Sequence, residues 1–150
     1  MPNWCMNNLT ITHSDTDKLQ EFVDAYNSGG VCNYFIPKPE NEDWYSWNIS
    51  NWGTKWDFGK GEHDDPAQII NNEVDVSFDT AWSPPIEFYN HLQKLRYMVI
   101  ATYWEPGIGF CGSYENGIED TIEYQDKEEI PDELWDQFGM ADFFEMSEEI

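Results

Sequence analysis

The chain has 150 residues and 17.7 kDa, the size of one domain. Thirty Asp and Glu stand against seven Lys and Arg, a net charge of −23, which excludes direct binding to nucleic acid or to an anionic membrane surface. Eight Trp and an aromatic content of 17% exclude a disordered chain, which lacks the apolar surface to build a core.

Leu9 and Ile11 alternate with Thr10 and Thr12, predicting a first strand over residues 4–12. Ser14, with Asp17 three residues on, opens a helix whose apolar stripe is Leu19, Phe22, Val23 and Tyr26, stopped at Asn27-Ser28-Gly29-Gly30. Residues 32–36 read as a short strand ended by Pro37 and Pro39. Residues 40–57 crowd Trp44, Tyr45, Trp47, Trp52 and Trp56 without a clean period, predicting an irregular insertion, or one helical turn, that leads into a strand near residues 55–58. Val74, Val76 and Phe78 alternate with polar residues as a half-buried strand. Ser83-Pro84 then reads as cap and first-turn proline of a helix striped by Ile86, Tyr89, Leu92 and Leu95. A β-branched and aromatic run over residues 97–104 is another strand, and residues 110–114 and 118–124 form a hairpin turning at Asn116-Gly117. The resulting order, β-α-β-β-α-β plus a hairpin, is the ferredoxin-like plan, α+β with an antiparallel sheet and helices on one face; it implies no iron–sulfur cluster.

Charge steepens toward the C-terminus: residues 115–150 hold fourteen acids and one base, Lys127, whereas the first 114 residues hold sixteen acids and six bases. Ile130, Leu134, Trp135, Phe138, Phe143, Phe144 and Met146 interrupt those acids, predicting a short helix from Pro131-Asp132 to Phe138 and a second amphipathic turn after Gly139. The expected division is a ferredoxin-like domain over residues 1–125 and an acidic amphipathic segment over residues 126–150.

The opening Met1-Pro2-Asn3-Trp4-Cys5 with Asn7, Leu9 and Ile11, the string Asn51-Trp52-Gly53-Thr54-Lys55-Trp56-Asp57, the string Thr80-Ala81-Trp82-Ser83-Pro84-Pro85, and Glu105-Pro106-Gly107 with Phe110 and Gly112 together resemble the YubB-like family of phages and conjugative plasmids. The resemblance covers residues 1–114 and implies a ferredoxin-like domain carried by mobile elements; it carries over no catalytic residue.

Few residues point to chemistry. Cys5, Cys32 and Cys111 are odd in number, dispersed and outside any C-x-x-C spacing, so they read as buried hydrophobes in a reducing cytoplasm rather than as disulfides or zinc ligands. Gly61-Glu62-His63-Asp64-Asp65 has the donor types for a hard divalent ion, but no second ligand cluster follows and it reads as a solvated loop. His13 and His91 stand alone. The glycines of residues 106–112 do not match G-x-G-x-x-G, so no metal, cofactor or catalytic residue is expected. Trp52, Trp56, Trp82 and Trp104, with Lys55 and Asp57 pairing across a turn, read as packing at strand ends or, alternatively, as a pocket for a small ligand of a binding protein or minor enzyme. The acidity overshoots the charge of about −2 to −8 that suffices for solubility. It points to a cytoplasmic, non-enzymatic protein that fills the basic groove of a nucleic-acid-binding host protein with carboxylates in place of phosphates. The residues expected to carry this are Glu128, Glu129, Asp132, Glu133 and Asp136, with Trp135 and Phe138 as apolar anchors.

Overall fold

The computed structural model describes residues 3–148, and the side chains of residues 3–146. Its elements run β1 (Trp4–Thr12), α1 (Thr16–Asn27), α2 (Val31–Phe35), α3 (Trp44–Asn51), β2 (Glu73–Ala81), α4 (Ile86–Lys94), β3 (Met98–Glu105), β4 (Phe110–Glu115), β5 (Ile118–Glu123), a 3₁₀ turn (Lys127–Glu129), α5 (Asp132–Gln137) and α6 (Met140–Glu148). The five strands form one antiparallel sheet in the order β2-β1-β3-β4-β5. Because β2 and β3 both run antiparallel to β1, they are parallel to each other, and α4 crosses from one to the other over the strand between them.

The fold is α+β, but this strand order is not clearly the ferredoxin-like pattern. The two strands expected early in the chain are absent. Residues 31–35 wind into α2 instead, burying Val31 and Cys32 while Phe35 and Ile36 pack half-buried on the core. The spacing i, i+1, i+4, i+5 suits one helical face as well as it suits a short buried strand. The deciding contact is remote: the Asp57 carboxylate accepts the first free amides of this helix, from Cys32 (2.7 Å) and Asn33 (2.9 Å). Residues 55–58 form no strand, since that chain bends to place Asp57 at the helix start and Phe58 flat against Phe78, with ring centroids 4.1 Å apart.

Helices also cover both faces of the sheet rather than one. On the first face, Leu9, Ile11, Val74, Val99, Ala101 and Tyr114 meet Leu19, Phe22 and Tyr26 of α1, Val31 and Cys32 of α2, and Phe88, Tyr89 and Leu92 of α4. On the second face, Trp104 and Cys111 meet Ile130, Leu134 and Met140, with Met6, Tyr124, Trp135, Phe138 and Phe144 packed around them. The acidic C-terminal segment is therefore a second layer docked on the sheet. The β4–β5 hairpin turns at Asn116-Gly117 with φ of 48° and 97°, the double left-handed turn that matches strand twist.

Candidate functional site

Residues 51–57 and 80–88 are laced together by hydrogen bonds. Thr54 donates to the Ala81 carbonyl (3.0 Å), Ser83 donates to the Gly53 carbonyl (2.7 Å), and the Phe88 amide donates to the Trp52 carbonyl (3.1 Å). Gly53 is required at this seam. Its φ is +84°, and a Cβ there would lie 2.9 Å from the backbone nitrogens of Ile86 and Glu87. Ser83 is thus a tie between segments, and α4 begins two residues later than the sequence suggests, after Pro85.

This lacing brings two indoles to the surface around one cation, with a third beside them. Trp4, Trp56 and Trp82 are 44%, 40% and 46% exposed, and Trp4 lies 6.0 Å from Trp56 between ring centroids. The Lys55 ammonium sits 4.7 Å from the Trp56 ring and 5.4 Å from the Trp82 ring, a cation held between two π-faces. Trp82 adopts φ of +78°, uncommon for a bulky side chain, and its amide is held by the Asn3 carbonyl (2.8 Å). Of the pocket residues expected from sequence, only Lys55, Trp56 and Trp82 come together. Trp52 is buried beneath, donating to the Ile36 carbonyl (3.0 Å), and Trp104 is in the second layer, donating to the Tyr124 hydroxyl (2.9 Å). Asp57 does not pair with Lys55, because its oxygens take the amides of Cys32, Asn33 and Phe58. Trp4 joins the cluster instead, a residue whose place in a strand concealed its neighbourhood to Trp56.

Beside Trp4 opens a cleft of about 580 Å³ whose walls include Met6, Phe138, Asp57, Asp64 and Asp79. Partial burial, and secondarily the nearby Asp64, raise the Asp79 carboxyl above its ordinary value. In the loop before it, Asp64 accepts the Gly61 amide (2.8 Å), and no group of three or more metal-ligating side chains lies together among the described residues.

The acids expected to meet a partner form a ridge. Glu128 and Glu129 lie in the 3₁₀ turn, Asp132 and Glu133 in the first turn of α5, and Asp136 one turn on, all exposed. Trp135 and Phe138 are turned toward the sheet. Trp135 stacks on Phe144 at 5.2 Å, Phe138 tilts against Trp104 at 6.1 Å, and both are half-buried. Their first role is to hold this ridge on the sheet, a role hidden in the sequence because their receptor, Trp104 and Cys111, lies on other elements.

Four buried groups, one carboxylate and three thiols, are structural. Glu105, fully buried, accepts the amides of Gly107 (2.6 Å) and Ile108 (2.8 Å), so its carboxylate builds the β3–β4 turn. Burial pushes the Cys5 thiol up to about 12, aided by Glu105, and also raises Cys32 and Cys111, so none of the three carries a thiolate at neutral pH. No helix among the described residues is long and apolar enough to cross a membrane. Compared with family models, curated proteins and solved structures, the chain matches none of them.

Proposed function

We propose that this protein is a binding protein of a phage or related mobile element, in the manner of the YubB-like family, that engages and blocks a host protein with a basic nucleic-acid-binding surface. One observation carries the reading. With thirty acids and seven Lys and Arg, at least twenty-three carboxylates have no cation of their own to pair with, and the acids of the ridge are exposed on an element anchored by a buried apolar layer. A rigid frame holding dense carboxylates suits a groove built for phosphates, since duplex DNA presents about one charge per 1.7 Å of axis. The cytoplasm of the host is the compartment this reading requires.

The test isolates the partner from host lysate at low and moderate salt, then measures association with and without duplex DNA. The reading expects DNA to compete, and association to slow as the Debye length falls from about 30 Å at 0.01 M to about 8 Å at 0.15 M. Changing Glu128, Glu129, Asp132 and Glu133 to their amides lowers the on-rate without altering the fold. An acidic partner, or one that binds DNA and this protein together, refutes it. A second reading, a small-ligand site at the Trp4–Trp56–Trp82 cluster, is supported by the backbone strain and exposed indole of Trp82. Loss of function on Trp56→Ala or Trp82→Ala, with function kept in the amide variant, favours it.

A further inference from the structure

The far edge of the sheet ends in β5, whose sequence is Ile118-Glu119-Asp120-Thr121-Ile122-Glu123 and which is exposed over all but one position. The Tyr124 amide donates to the Gly109 carbonyl, and β4 and β5 pair in unbroken register from there to the hairpin turn. In an antiparallel ladder the backbone groups alternate in direction. The amides and carbonyls of Glu119, Thr121 and Glu123 therefore point away from β4 toward open space.

The side chains of those same three residues lie on the first face of the sheet, where a groove of about 390 Å³ separates β5 from the start of α4. Phe110 and Ile86 give it apolar surface over the buried Tyr103, and Glu87, Glu119 and Glu123 give it carboxylates. Gly112 makes this groove possible. A Cβ there would collide with the Asp120 carbonyl and lie 2.7 Å from the Tyr103 hydroxyl, which passes through the gap to bond Thr121. On the opposite face, β5 presents Ile118, 74% exposed, Asp120 and Ile122.

We infer that β5 and this groove are a docking edge for an extended basic strand of the partner, added to the sheet as a sixth strand. The inference rests on the proposed function for the sign of the partner's charge and goes further in naming its conformation. Charge complementarity selects the occupant. Two copies of β5 edge to edge would bring Glu119 and Glu123 against like charges, so the same acids that admit a basic strand reject self-pairing. A strand with Lys or Arg at alternate positions lays their aliphatic stems toward Phe110 and Ile86 and their charges at the three carboxylates. The intervening positions, if β-branched and apolar, cover Ile118 and Ile122.

The experiment uses the full chain and two synthetic peptides of equal composition, one alternating Lys and Val, the other with the same residues scrambled, with binding and amide exchange followed by NMR. The inference expects the alternating peptide to bind more tightly and to protect the amides of Glu119, Thr121 and Glu123. The double variant Glu119→Gln with Glu123→Gln should weaken it roughly tenfold, from loss of two cross-strand ion pairs. Neutralising the four ridge acids removes more charge yet should weaken this peptide less. Glu123→Pro should weaken it further than Glu123→Gln, since proline removes an outward amide that the native ladder does not use; the exchange data on the unaltered protein decide the matter should that variant unfold. Equal binding of both peptides with no protection along β5 overturns the docking edge and leaves the basic-partner reading standing. Failure of both peptides to bind at low salt overturns both readings.

Discussion

Trp82 concentrates in one residue the conflict between local preference and tertiary demand. Its φ of +78° is tolerated because the Asn3 carbonyl, the Thr54–Ala81 bond and the Ser83–Gly53 bond fix the chain on either side. Glycine accepts this backbone without strain, so Trp82→Gly should leave the melting temperature unchanged or raise it. Trp104→Ala, by contrast, removes a side chain only 2% exposed and should cost about 3–5 kcal/mol in urea denaturation. Asp79 gives a prediction in pH. Its folded-state value lies above the ordinary 3.8, so ionisation is harder in the folded protein than in the unfolded chain. Folding is therefore disfavoured as pH rises from that ordinary value through the raised one, and the penalty persists at neutral pH. Asp79→Asn should raise the melting temperature at pH 7, with the gain vanishing below pH 3.8. The Trp motifs were legible in the sequence as a cluster because the residues are rare and bunched. Which indoles face solvent was not legible, since that depends on Asn3, Gly53 and Ala81 meeting across the fold.

At the scale of elements, the strands with clean alternation and the helices with clean stripes sit where the pattern puts them: β1, β2, β3, the β4–β5 hairpin, α1, α4 and the two C-terminal helices. The misreading falls between α1 and β2, where length and periodicity leave strand and helix equally good. Asp57, twenty-five residues after Cys32, tips the balance toward α2, and no local window contains both. The place of α5 and α6 was equally out of reach, because a short amphipathic helix does not state which of two sheet faces receives it. All buried residues of the first core lie within residues 9–114. Truncation after Gln125 should therefore keep a cooperative thermal transition at a lowered midpoint, and the bared Met6, Trp104 and Cys111 should bind a hydrophobic dye that the full chain does not. A truncated chain with no transition would show that the second layer is needed for the first to form.

For the whole molecule, a charge of −23 on 150 residues opposes compactness as well as aggregation. Ion pairs such as Lys18–Glu21, at 3.6 Å and on the surface, offset little of it. Screening should relieve the repulsion, so the melting temperature should rise as sodium chloride is raised from about 0.01 M to about 0.15 M, over which the Debye length shrinks from about 30 Å to about 8 Å. A flat or falling response would mean that local pairings outweigh the net field. The composition made this repulsion legible from the outset; the apolar layers that withstand it emerge only when Ile130, Leu134 and Met140 are seen against the strands.

The three buried thiols turn the layered architecture into a clock. Cys32 lies in the first core, Cys111 in the second layer, and Cys5 among the hydrogen bonds of Asn7 that join β1 to β2, and all three are wholly inaccessible in the folded chain. A thiol reagent can reach each only when its own surroundings open, and proteins open in cooperative pieces of unequal stability. The order in which the cysteines are alkylated under native conditions thus reads out the order in which the layers come apart. Labelling of Cys111 well before Cys32 would mean that the helices carrying the acidic ridge lift from the sheet while the sheet stays folded, a motion that would let the charge-bearing segment and its frame exchange partners separately.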